Sequence, residues 1–128
     1  MISFEKFRGV EGVPIYLQLV RFVKQGLAAG SIPAGEELPS RRLLSAQLAV
    51  NPKTVQKAYR ALEEEGLITS RPGAASFVCA APEQVAAIRR ELYREELLGA
   101  VRAMKRMGLS ADEAAALLRQ LYEQEAEA

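Results

Sequence analysis

PSRRLLSAQLAVNPKTVQKAYRALEEEG, residues Pro39–Gly66, is the stretch whose reading decides how this chain folds. It divides into two helices at a tight break around Val50-Asn51. Ser40 is placed to cap the first, with Leu43, Leu44 and Leu48 expected to face the core. Asn51 caps the second, and Pro52 falls at a first helical position, where a missing N–H costs nothing. Gly66 ends it in the left-handed position that glycine fills cheaply. Too few residues separate Leu48 from Val55 for two antiparallel helices to lie side by side. They must cross steeply, as in a helix-turn-helix. At about 100° per residue, Val55, Ala58, Tyr59 and Leu62 share one face of the second helix. Lys53, Gln56, Lys57 and Arg60 share the other. Periodicity alone favours a solvated face for this second set, while a DNA major groove would accept the same rod.

Outward from this pair the pattern becomes specific. Leu67-Ile68-Thr69-Ser70 and Ser76-Phe77-Val78-Cys79 read as two strands joined by a Pro72-Gly73 turn. A hairpin this short must pack on helices. Helix-turn-helix followed by hairpin is a winged helix. Upstream, Pro14 opens a helix whose Ile15, Leu19, Phe22, Val23 and Leu27 recur at helical spacing, with Gly30 as its stop. Residues 31–38 are a turn and a short extended piece. Ile2, Phe4 and Phe7 are expected to anchor an N-terminal arm over residues 1–12. Downstream, Pro82 begins a helix expected to reach Met107, and Ser110-x-x-Glu113 is a capping box for a last one.

The expected fold is mainly α with a small β-hairpin. A winged helix-turn-helix over 13–80 is followed by a two-helix C-terminal dimerisation tail over 81–128. Leu92, Tyr93, Leu97, Val101 and Met104 on the first tail helix, with Leu117, Leu118 and Leu121 on the second, are the expected dimer contacts.

Charge and composition narrow the function. The 128 residues carry a formal net charge of +1, yet it is unevenly spread. Residues 13–80 hold eight cations against five acids, and residues 81–128 hold seven against nine. A basic front half hints at an anionic partner. There is no histidine, no cysteine pair and no glycine-rich phosphate loop, which argues against an enzyme, a metal site or a cofactor. Glu63-Glu64-Glu65 reads as solvated helix charge, and the single Cys79 as a buried packing residue. Neither a signal peptide nor a membrane span is evident, so the expected location is cytoplasmic. Arg41 and Arg42 open the first helix of the pair, and Arg71 stands beside the hairpin turn. Cations, recognition face and wing thus occur in the order that one DNA-binding surface requires.

These residues carry a resemblance to the GntR family of bacterial transcription regulators. Pro14-Ile15-Tyr16, Leu38-Pro39-Ser40-x-Arg42, Leu48 to Val55, Ala58-Tyr59-x-x-Leu62-Glu63 with Gly66-Leu67, and Gly73-x-x-Ser76-Phe77-Val78 follow the family's spacing. The Asn51-Pro52 turn, the Ala-Tyr pair and the short tail look like the YtrA-like small-tailed subgroup, often encoded beside transporter genes. The resemblance implies that Arg42 reaches DNA and that Lys53, Thr54 and Gln56 are contact positions. It further implies that Gly73 is the wing-tip glycine approaching the minor groove. Asn51-Pro52 stands where many relatives have Ser/Thr-Arg, so Lys53 is the substitute base reader, without arginine's bidentate fork. The implied activity is that of a homodimeric repressor on a palindromic double-stranded operator, with half-sites about 10 bp apart or a multiple of that. A small-molecule effector is a possible further partner. A winged helix serving only protein–protein interaction is the alternative.

Overall fold

The computed structural model describes residues 1–71 and 75–125. Seven elements follow in order: α1 (Ile15–Ala29), α2 (Arg41–Leu48), α3 (Pro52–Glu64), β1 (Ile68–Ser70), β2 (Ser76–Val78), α4 (Pro82–Arg106) and α5 (Ala111–Gln124). The fold is therefore mainly helical with one antiparallel hairpin, a winged helix-turn-helix followed by C-terminal helices. The chain forms two compact units, Met1–Arg90 and Glu91–Ala128, so the first turns of α4 belong with the first unit.

In the first unit the apolar faces of α1, α2 and α3 converge. Leu19, Val23, Leu44, Val55, Ala58, Tyr59 and Leu62 are all nearly inaccessible. Each large member removed from water is worth roughly 1.5–3 kcal/mol. Leu43, expected in the core, is instead 42% exposed. On an eight-residue helix held against α3 by Leu44, the neighbouring position one-quarter turn away faces out. Leu48 is half-buried.

Caps define the helix ends. Ser40 Oγ accepts from Leu43 N, and Asn51 Oδ1 accepts from Lys53 N, with Pro52 in the first turn. Pro14 is the residue before α1 rather than its first residue. Gly30, Gly66 and Gly108 hold the positive φ that ends α1, α3 and α4. Ala49 adopts the same left-handed conformation, at φ 54°, without being glycine. The turn between α2 and α3 is closed around it. Ser45 Oγ donates to the Val50 carbonyl at 2.6 Å, and Val50 N returns a bond to Ser45 O at 3.1 Å.

The hairpin pairs Ile68 with Val78, Thr69 with Phe77 and Ser70 with Ser76. Residues 35–38 cover the other edge of β2 through Leu38 N to Ser76 O and Val78 N to Glu36 O. The arm covers that piece in turn, with Ile2 N bonded to Glu37 O. Ile2 and Phe4 are buried, and Phe4 stacks on Phe22 with centroids 5.1 Å apart. Cys79, expected to be buried, is exposed, its Sγ within 3.4 Å of Gly66 O. It lies just past β2, where the chain leaves the sheet. The start of α4 is tied down by Gln84 to Glu65 O and by Arg89, whose Nε and Nη2 both donate to Ala28 O.

In the second unit, Leu92 and Met104 are buried, whereas no residue of α5 is. Ser110 and Glu113 form a reciprocal capping box at the start of α5. Among the described residues no helix is long and apolar enough to cross a membrane.

Candidate nucleic-acid interface

The polar face of α3 is open to solvent, and the caps explain its direction. Asn51 and the Ala49 turn set the helix entry, and the opposite face is clamped into the core by Val55, Ala58, Tyr59 and Leu62. Lys53, Lys57 and Arg60 are consequently exposed, with Thr54 and Gln56 half-buried beside them. Arg42, in the first turn of α2, is exposed as well. Arg71 is exposed at the end of β1, whereas Pro72 and Gly73 lie outside the described residues.

One residue from outside the helix-turn-helix joins this surface. Tyr16, in the first turn of α1, carries the Lys57 ammonium over its ring, 4.1 Å from the centroid. Tyr16, Lys53, Gln56, Lys57 and Arg60 border a single cleft of about 570 Å³. Sequence reasoning placed Tyr16 only in a helix-opening motif. Its spacing from α3 holds no local signal for a contact made 41 residues later.

Arg41 behaves differently from its neighbour. Its guanidinium turns inward, where Nη2 bonds Glu63 Oε1 at 2.8 Å and the group lies 5.0 Å above the Tyr59 ring. Arg42 is the more open of the arginine pair, exposed where Arg41 is half-buried. Glu63 is accordingly not the solvated helix charge that its sequence context suggested. It also accepts from Ser70 Oγ at 2.7 Å. Glu65, although exposed, pairs with Lys24 of α1, and Glu64 is exposed as well. Tyr59 Oη donates to the Pro39 carbonyl at 2.6 Å. Burial pushes the Tyr59 phenol well above its ordinary range, and the Arg41 charge offsets a small part of that.

The expected dimer contacts divide in two. Leu92 and Met104 are already buried within the single chain. Tyr93, Leu97, Val101, Leu117, Leu118 and Leu121 are exposed, as is Tyr122, which the sequence reading left out of the interface. Among the described residues no cluster of metal-ligating side chains occurs.

An exposed cationic recognition helix, an arginine before it and a hairpin after it have counterparts among known proteins. Residues 15–78 match the family model described as bacterial regulatory proteins, gntR family. The chain is 36% identical over 100 residues to YhcF of Bacillus subtilis, an uncharacterised HTH-type transcriptional regulator, covering 78% of this chain and 83% of that one. It is 38% identical over 65 residues to the transcriptional repressor YtrA of the same organism, covering 51% of this chain and 50% of YtrA. A solved GntR family regulator from Listeria monocytogenes superposes with a TM-score of 0.78 at 25% identity, covering 88% of this chain and 98% of that one.

Proposed function

The chain belongs to the GntR family of bacterial DNA-binding transcription regulators, resembling its small YtrA-like members, and on that footing we propose that it is a homodimeric repressor of a palindromic operator. The family is one of regulators, not enzymes. The observation that carries the proposal is the open edge of α3. Lys53, Gln56, Lys57 and Arg60 line it, three of them cations, with Glu64 the one acid at its C-terminal end and Arg42 exposed at the start of α2. Lys53, Thr54 and Gln56 are the base-reading positions, while Arg42, Lys57, Arg60 and Arg71 meet phosphates. Arg41 supports this surface from within, and Gly73 is assigned to the wing tip from the sequence motif alone.

The repressor direction is supported by the likeness to YtrA, which is itself named a repressor. A transporter operon as target is suggested by the sequence resemblance to the YtrA-like subgroup alone. The exposed apolar residues of α4 and α5 support self-association: Tyr93, Leu97, Val101, Leu117, Leu118 and Leu121 all leave apolar side chain in water that a second copy could cover. An arm at 1–12, a head at 13–80 and a dimerising tail at 81–128 remain the proposed division of labour. Any small-molecule effector would act on this assembly.

The deciding experiment is a footprint on the promoter upstream of the protein's own gene. A protected palindrome is expected, with affinity falling by orders of magnitude between about 50 and 200 mM salt if roughly six or more phosphates are neutralised. A head that serves only protein contacts would protect nothing.

A further inference from the structure

Behind the DNA-facing edge, several polar groups converge on one carboxylate. Glu63 Oε1 accepts from Arg41 Nη2 at 2.8 Å and from Ser70 Oγ at 2.7 Å. Ser70 Oγ and Ser76 Oγ lie 2.6 Å apart. A serine hydroxyl has one proton, and Ser70 commits its own to a carboxylate that only accepts. Ser76 must therefore be the donor to Ser70. The chain of bonds runs one way, from Ser76 in β2 to Ser70 in β1 to Glu63 in α3, and the Arg41 cation closes it from α2.

Arg41 is held in that place at some cost. Its Nε is buried without a hydrogen-bond partner, and a cation near a helix N-terminus opposes the helix dipole. The ring of Tyr59 and the charge of Glu63 offset this. The Tyr59 hydroxyl meanwhile fixes the Pro39 carbonyl, one residue before the Ser40 cap.

We infer that Glu63 is a positioning residue for DNA reading, which sets the wing against the recognition helix through Ser70 and holds the α2 start through Arg41. The inference rests on the DNA-binding role of the head. Packing of Leu67, Ile68 and Val78 attaches the hairpin to the helices, and backbone bonds pair β2 with residues 35–38, but the packing has no direction and those backbone bonds do not reach α3. The Ser70 bond adds a directional tie from the hairpin to α3, and the Arg41 bond ties the same oxygen to α2. The Arg41–Glu63 pair is about one-third exposed on both sides, a setting in which ion pairs contribute little to stability. Its effect is therefore read in geometry more than in melting temperature.

The test uses the full chain and a random-sequence duplex library of about 30 bp. Wild type, Glu63→Ala, Ser70→Ala and Ser70→Thr each select from it, and the wild-type winner is footprinted with hydroxyl radicals. Glu63→Ala and Ser70→Ala are expected to keep the central motif. At the flanks they lose about tenfold in base preference, together with minor-groove protection. Ser70→Thr, which retains the hydroxyl, is expected to match wild type. Unchanged flanks in Ser70→Ala, or uniform weakening at every position, would overturn the inference. Should Glu63→Ala fail to fold, the Ser70 pair decides alone. Failure of the wild type to enrich any motif would instead remove the DNA-binding reading, and the inference with it.

Discussion

Arg41 and Arg42 are adjacent and chemically identical, yet the fold gives them opposite tasks. One helical step of 100° separates them, enough to bring the first over Tyr59 and leave the second in water. Arg42→Ala is expected to weaken DNA binding by about 1–3 kcal/mol, without a lower melting temperature. An unchanged affinity in a gel-shift titration would remove Arg42 from the interface. The Lys57–Tyr16 contact makes a second residue-level prediction. An ammonium held over an aromatic face is pre-placed for a phosphate, so Tyr16→Leu and Lys57→Ala should each lower the salt slope by about one. The double variant should lower it by no more than either alone, and Tyr16→Phe should leave it intact. Additive losses in the double variant would show that the two side chains act separately.

At the scale of elements, the join between α2 and α3 is strained by choice of residue. Ala49 sits at φ 54°, where its Cβ crowds the backbone, and a glycine would not. Ala49→Gly is expected to raise stability by about 0.5–1 kcal/mol, the relief of strain exceeding the added freedom of the unfolded chain. Urea denaturation measures it, and a loss of stability would mean that the Ala49 methyl makes a contact worth more than the strain. The α3 packing brings a pH dependence. The Tyr59 phenol holds its proton more tightly when folded than when unfolded, where its value is near 10. Its contribution is therefore complete below about pH 10 and is lost as pH rises above it. Tyr59→Phe lacks an ionisable group there, so its stability, lower throughout for want of the Pro39 bond, should fall less steeply above pH 10. Parallel slopes for the two proteins in alkaline urea titrations would assign the loss to another group.

At the scale of the molecule, the exposed apolar residues of α4 and α5 carry the case for self-association. Leu97→Glu with Leu121→Glu places charge on both helices at positions more than half exposed in the single chain, so the monomer has little to lose. Sedimentation should show a dimer becoming a monomer, with much weaker operator binding because each head then engages one half-site. A double variant that still sediments as a dimer would place the interface elsewhere. Leu92 and Met104 are poor choices for this purpose, since their side chains are already buried and substitution would test the fold instead.

Local chemistry determined most of the architecture. Ser40, Asn51-Pro52, Gly30, Gly66 and the Ser110–Glu113 box mark helix ends with bonds made within a few residues. The one-sided faces of α1 and α3 are likewise periodic properties of short windows. The exposed cations of α3 were legible for the same reason, being the complement of a clean apolar face. What only the tertiary structure decided are contacts between distant residues. Among these are Tyr16 beneath Lys57, the inward turn of Arg41, Glu63 as a junction between α2, α3 and the hairpin, and the exposure of Leu43 and Cys79. A window of sequence records which side chains share a face. It holds no record of which neighbour arrives there once the chain has closed, and that arrival determines whether a charge meets water, a partner or DNA.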